Sequence, residues 1–392
     1  MNPQIVNNDL KKVFEERVQL SKEKKNEAIN YWKPIVDAIV DYVCKSDDRF
    51  SSLLRIGTGS YYEKAQVNKE PYEFDVMLVI NNFEVGNISD ATAAIMNFMT
   101  DHNETEPPLG FTQVYVGKKT EWQRDGCVDA KGRLNAYKVK AAFARLVKDA
   151  IRALQNRNDY SSLIFRYVDV KSNGPAVALK ITNIFNQREY SVDLTLAIKC
   201  VDWPRQAEEW IRRSRNGWPN QLLVQEIWEE GCYLVAKQPK GIDIPEQEKK
   251  VFWRLSFSGA EKKLLLHGAH GEEIGCRKQV LRLMKAFRDH MKWVKLTSYH
   301  LKTIMLYEYE AHPNPNDWSS ECLSFRFIGF LYKLECHLRQ ANCPHYFIEG
   351  VNLLEMVSPE KCSEMAAKVR QLKFFLGIQL LISLLWPLNL NQ

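Results

Sequence analysis

The sequence predicts a two-lobed α+β protein, with a mixed-sheet N-terminal lobe entered by a long helix and a helical lobe behind it. Three observations carry this. Residues 10–45 place Val13, Phe14, Val18, Ile29 and Trp32 at helical spacing, with Pro34 expected to kink the helix or mark a junction. Short strand-like runs follow: "SLLRIG", "EFDVMLVI", "LIFRYVDV", "AVALKITNIF" and "YSVDLTLAI". After Pro204 helical periodicity takes over. The expected division is 1–205 for the sheet lobe with its N-terminal helix, 206–373 for the helical lobe, and 374–392 for an apolar tail.

Within the first lobe, residues 102–134 read as loops, and "NAYKVKAAFARLVKDAIRALQ" (135–155) is an amphipathic helix. The segment 239–250 reads as a linker. In "CRKQVLRLMKAFRDHMKW" (276–293), Val280, Leu283, Met284, Phe287 and Met291 share one face, and Lys278, Arg282 and Lys285 share the opposite one.

The chain has 392 residues, 45% apolar and 26% charged, enough for two lobes with real cores and incompatible with a disordered chain. The net charge of +6 leaves room for a basic patch facing a polyanion. The nine cysteines lack paired spacing and the start "MNPQIVNNDLKKVFEE" has no apolar leader, which points to a reducing, cytoplasmic setting. The tail "FFLGIQLLISLLWPLNLNQ" is broken by Gly377, Gln379, Ser383 and Pro387 and falls short of a spanning helix. It reads first as packed or frayed, and second as a partner or membrane contact. No firm membrane association is expected.

The chemistry-bearing stretch is "GTGSYYEKAQVNKEPYEFDVML", Gly57 to Leu78. Strand alternation points Glu73, Asp75 and Met77 one way and Phe74, Val76, Leu78 and Ile80 into a core. Two carboxylates on one face repel, so they call for solvent, a proton or a metal. Hard oxygen donors suit Mg²⁺ or Mn²⁺. Asp193, in "YSVDLTLAI", is a third acid inside a strand-like run. Three acids on neighbouring strands are able to hold two ions, one activating an attacking hydroxyl and one stabilising a leaving phosphate. The Gly59-Ser60 turn offers backbone N–H groups and a hydroxyl to a triphosphate.

A Gly-Ser turn followed by an acid-x-acid strand resembles the nucleotidyltransferase superfamily. "TGSYYE" (58–63), "EFDVM" (73–77), "SVDLTLAI", "FWRLSFSGAEK" (252–262), "CRKQVLRLMK" (276–285), "TSYHLKT" (297–303) and "PHYF" (344–347) resemble its Mab-21 group. Within that group the likeness is to cyclic GMP-AMP synthase and the cGAS-like receptors, and it spans residues 10–365 in order. It implies the bilobal nucleotidyltransferase fold. It also implies that Glu73, Asp75 and Asp193 bind two Mg²⁺ or Mn²⁺ ions, and that Ser60, Lys285 and Ser298 hold phosphates. Arg254 is implied at a base edge, Ser256 and Ser258 near the donor nucleotide, and Tyr299 stacked on a base. The implied substrates are ATP and GTP. The basic positions matching the family's nucleic-acid face are Lys22, Lys24, Lys25, Lys262, Arg277, Lys278 and Arg282.

The sequence departs from the vertebrate enzymes in "KLLLHGAHGEEIGCRK", where a zinc-binding insertion is missing. His267, His270 and Cys276 make at most three ligands, and Cys336, His337, Cys343 and His345 have irregular spacing, so no structural zinc is expected. The missing insertion favours double-stranded RNA over DNA as activator and leaves open an oligomer on the duplex. The implied function is duplex-activated synthesis of a cyclic dinucleotide messenger in innate immune sensing. A non-catalytic Mab-21 scaffold and a constitutive template-independent polymerase are the alternatives.

Overall fold

The path of the chain follows from where its apolar alternation can be buried. The computed structural model describes residues 3–69, 71–85, 106–116, 120–157, 162–240, 243–267 and 275–375. The chain enters through α1 (Pro3–Val13), a π-helical turn at Phe14–Val18, and α2 (Lys22–Ser46). The break falls at Gln19–Ser21 and not at Pro34. Gln19 is extended, and the Ser21 hydroxyl accepts the Lys24 N–H, capping α2. Pro34 lies inside α2, and Asn30, whose carbonyl it leaves unbonded, is on the exposed side.

The strands are β1 (Leu53–Thr58), β2 (Tyr72–Val85), β3 (Phe111–Gln113), β4 (Val168–Asn173), β5 (Ala176–Thr182), β6 (Glu189–Cys200), β7 (Cys232–Val235) and β8 (Phe252–Ser256). They form one sheet in the order β1-β2-β6-β7-β8-β3, with the β4–β5 hairpin attached through β5 to β6. One edge of β6 pairs with β2 in parallel. The opposite edge is divided between β5, along Glu189–Thr195, and β7, along Ala197–Cys200. A parallel pair needs a crossover, and the chain between β2 and β6 includes the helix α4 (Ala136–Gln155). α3 is the single turn Gly59–Tyr62.

The sheet does not end where helical periodicity begins. β7 and β8, beyond residue 205, complete it, and β3 lies where loops were expected. "LIFRYVDV" splits into a helical turn, Ser162–Phe165, and β4. The helical lobe consists chiefly of α5 (Ser258–Leu266), α6 (Arg277–His290), α7 (Ser298–Ala311), α8 (Leu323–Arg339) and α9 (Pro359–Phe375). Of the tail, residues 376–392 lie outside the described residues. Among those described, no helix is long and apolar enough to cross a membrane.

Alternation along β2 and β6 sorts the two faces of the sheet. Phe74, Val76, Leu78 and Ile80, with Tyr190, Val192, Leu194 and Leu196, enter the main core under α2 and α4. Met77, Val79 and Ala197 join Tyr233 and Val235 in a smaller cluster. α2 is held to β2 by Trp32, whose ring lies 5.1 Å from that of Phe74. The first helix reaches the other lobe: the Asn7 amide donates to the Ser320 carbonyl, and Asn7 Oδ1 accepts the Ser324 N–H.

Trp32 is 2% exposed, so Trp32→Ala leaves a cavity between α2 and β2. A loss of ~3–5 kcal/mol is expected, read as a lower denaturation midpoint in urea.

Candidate active site

Parallel pairing puts Asp75 directly beside Asp193, and Glu73 beside Ser191 two pairs earlier. The alternation that buries Phe74 and Val192 leaves these polar side chains on the opposite face. Asp75 also faces Thr58 at the end of β1, so the chain turns into α3 immediately above it. Gly59 makes that turn with φ +71°, and a Cβ there would collide with the Asp75 carboxylate. Only glycine permits both the backbone conformation and the close approach.

Charge is concentrated at this point. Burial, then the nearby carboxylates of Asp193, Glu63 and Glu73, push the Asp75 carboxyl up to about 7, against the opposing pull of Lys302. Burial and Glu73 also raise Asp193. Glu63, 1% exposed, pairs with the Lys302 ammonium at 2.6 Å, and Glu261 pairs with the same ammonium at 2.8 Å. Those two ion pairs outweigh burial and hold Lys302 charged.

The phosphate-type groups lie behind the turn. The Lys285 ammonium donates to Ser60 Oγ and to the Ala65 carbonyl, both at 3.0 Å. Burial pushes it down to about 8. Ser298 Oγ accepts from Arg288 at 2.8 Å. A cleft of about 720 Å³ opens in front, and Asp75, Arg254, Ser256, Ser258 and Tyr299 line it. The Arg254 guanidinium lies 5.8 Å from the Tyr299 ring centre. Ser256 and Ser258 hydroxyls are 3.4 Å apart. Tyr299 is fixed by its hydroxyl, 2.9 Å from His345 Nε2. His345 Nδ1 accepts the Phe347 and Ile348 N–H groups, which assigns the ring proton to Nε2. Burial, with Arg254 nearby, pushes His345 down to about 3.

Four lining cations escaped sequence reasoning, Lys237, Lys240, Lys295 and Lys302. Lys237 and Lys240 follow β7 and enter the cleft, and burial, then the charges of Arg254 and Lys240, pushes Lys237 down to about 8. Lys240 lies in the stretch 239–250 that reads as a linker and Lys237 just before it, and the pairing of β7 with β8 sets where that stretch leaves the sheet.

The basic positions separate into two groups. Lys22 is exposed and Lys24 and Lys25 are partly exposed at the start of α2; Lys278 on α6 is partly exposed along its stem, but its ammonium is buried. The other three point inward. Lys262 donates to the Gly57 carbonyl at 3.0 Å, Arg277 stacks 4.8 Å from the Tyr309 ring centre, and Arg282 is buried. Of the residues weighed as zinc ligands, His270 lies outside the described residues. Cys276 is buried with its N–H on the Trp318 carbonyl, and both His345 nitrogens are engaged.

Among the described residues no three His, Cys, Asp or Glu side chains close on one point as a metal cage. The donor chemistry still fits a divalent ion. Asp75 and Asp193 sit together with raised pKa values, and a cation relieves that repulsion. Mg²⁺ in particular is commonly held by one or two carboxylates with substrate phosphates completing its shell.

Paired strand acids under a Gly-Ser turn, facing a cleft with cations on its far wall, define a nucleotidyltransferase-type site on a bilobal α+β fold. Residues 61–267 match the Mab-21 protein nucleotidyltransferase domain, and residues 276–371 match the Mab-21 protein HhH/H2TH-like domain. The chain belongs to the Mab-21 family.

Asp75 keeps its proton in the fold to a pH at which an unfolded aspartate is already ionised. Between the ordinary carboxylate value and about 7 the native state binds the extra proton, so stability falls as pH rises through that window. Asp75→Asn is expected to melt above wild type at pH 8, with the gap closing towards pH 4. Magnesium should narrow the gap at pH 8 by stabilising wild type alone. Melting curves across pH, with and without the ion, check both.

Proposed function

We propose that this protein is a metal-dependent nucleotidyltransferase that joins ATP and GTP into a cyclic dinucleotide of the cyclic GMP-AMP type. In this reading a bound duplex switches it on, RNA in preference to DNA, as a cytoplasmic sensor in innate immunity. The observation that carries the reading is the Asp75–Asp193 pair with the Gly59–Ser60 turn seated on it.

Glu73, Asp75 and Asp193 would hold Mg²⁺ or Mn²⁺. When bound, such ions supply charge neutralisation at the reacting phosphate and at the attacking hydroxyl. Ser60, Lys285 and Ser298 bind the triphosphate, and Lys285 has a third N–H to offer beyond its two protein partners. Tyr299, locked by His345, presents a fixed ring for a base, and Arg254 beside it suits a base edge. Ser256 and Ser258 lie next to the donor nucleotide. A ribose hydroxyl of one nucleotide attacks the α-phosphate of the other, pyrophosphate leaves, and a second round closes the ring. The protein contributes positioning and electrostatics.

The test is incubation of the purified chain with ATP, GTP and Mg²⁺, with and without each duplex type. Asp193→Asn is expected to abolish product while leaving the melting curve cooperative. A folded Asp193→Asn variant with near wild-type turnover refutes the metal-dependent mechanism.

For activation, the start of α2 is the surface proposed to meet the duplex, because it presents Lys22 exposed and Lys24 and Lys25 partly exposed. Replacing Lys22, Lys24 and Lys25 with Glu is expected to weaken duplex binding and to lower duplex-stimulated synthesis. The slope of log affinity against log salt should shrink by about three, one per lost phosphate contact. Titrations at two or more salt levels measure it. Equal synthesis with no duplex present refutes the activation.

A further inference from the structure

The basic face of α6 turns inward, onto the segment that carries Ser60. Arg282 is 2% exposed, and its Nε donates to the Lys64 carbonyl at 3.0 Å while Nη2 donates to the same oxygen. One turn further along α6, Lys285 takes the next carbonyl, Ala65, together with Ser60 Oγ. Two consecutive carbonyls are thus held by two cations at i and i+3 on one helix face. Lys64 itself has φ +56°, a left-handed conformation that a non-glycine residue keeps only when its surroundings impose it.

On its sheet side the turn packs the Tyr61 ring 5.2 Å from that of Phe74, and Gln66 Nε2 donates to the Glu73 carbonyl at 2.9 Å. Its internal bonds are local, Glu63 N–H to Gly59, Lys64 N–H to Tyr61 and Ala65 N–H to Ser60. Its ties to the helical lobe include Lys262 on Gly57, Lys302 on Glu63, Lys285 and Arg282. Arg282 differs from the other three in reaching the N-terminal segment as well: its guanidinium carbon lies 5.6 Å from the Phe14 ring centre, in the π-helical turn before α2.

We propose that Arg282 is a positioning residue of the nucleotide site, one that holds the Ser60 turn from behind and couples it to the N-terminal segment at Phe14, and not a contact to a bound duplex. The inference deepens the nucleotidyltransferase reading, on which the role of Ser60 rests. It also means that reversing the charge of Arg282 would lower synthesis by loosening the turn, whatever happens to duplex affinity.

The experiment compares Arg282→Gln and Arg282→Lys in the full chain. Three quantities are read: amide hydrogen exchange across residues 60–66, binding of a non-hydrolysable ATP analogue with Mg²⁺, and binding of a double-stranded RNA. Arg282→Gln is expected to speed exchange in that segment by about tenfold or more and to weaken the ATP analogue by a similar factor, the loss of a charged hydrogen bond. RNA affinity should stay within about twofold, because no phosphate contact is lost. Arg282→Lys keeps one donor and should recover part of both effects. If Arg282→Gln does not fold, Arg282→Lys and Phe14→Leu, which removes only the ring contact, carry the same comparison. Unchanged exchange and nucleotide affinity overturn the proposal, as does a loss of RNA affinity without them. Failure of the underlying reading looks different: wild type then binds no nucleotide, and the exchange result alone decides whether Arg282 holds the turn.

Discussion

Everything about this molecule answers to one electrostatic problem, the crowding of Asp75, Asp193, Glu73 and Glu63 at one end of two strands. Water does not dissipate it, because Asp75 sits beneath the Gly59 turn and Glu63 is buried. Lys302 stands among them as a counter-charge shared with Glu261, and Lys285 interacts with Glu63 and Asp75 from behind the turn. The carboxylates that remain unpaired are thus left facing one another, while the cleft in front carries its own lining of cations, Lys237, Lys240, Arg254, Lys295 and Lys302.

The helical lobe supplies the rest of the solution. It is less a second domain than a set of basic arms reaching across to the acidic end of the sheet. Lys262, Arg282, Lys285 and Lys302 each contact the stretch between Gly57 and Ala65. The turn that bears Ser60 therefore has its shape set by the other lobe, and the relative placement of the lobes is written directly into the geometry of the site.

This division explains what was legible in the sequence. The acid-bearing strand was legible because alternation is local: once Phe74, Val76 and Leu78 are recognised as core, Glu73 and Asp75 have only one direction left. Gly59 was legible as a turn, though not as the residue on which Asp75 rests. The helix break was misjudged at Pro34 because proline is conspicuous, while the capping hydroxyl of Ser21 is a small signal whose effect depends on the extended backbone at Gln19. β3 and β7 span three and four residues, too few to show a period, and exist by virtue of their partners. The polar face of α6 was visible as a face, but periodicity says only that such a face is not greasy. It does not say whether water or the carbonyls of Lys64 and Ala65 will meet it.

The bond between Asn7 and Ser320 joins residues 313 positions apart. α1 is therefore synthesised well before its resting place on α8. Until then α1 lacks its partner on α8, and the sheet, whose final strand ends at Ser256, can assemble without that contact. Long-range closure of this kind slows folding and keeps apolar surface exposed on the nascent chain. α1 thus acts as a clasp between distant parts of the chain, fastened only once α8 has been made.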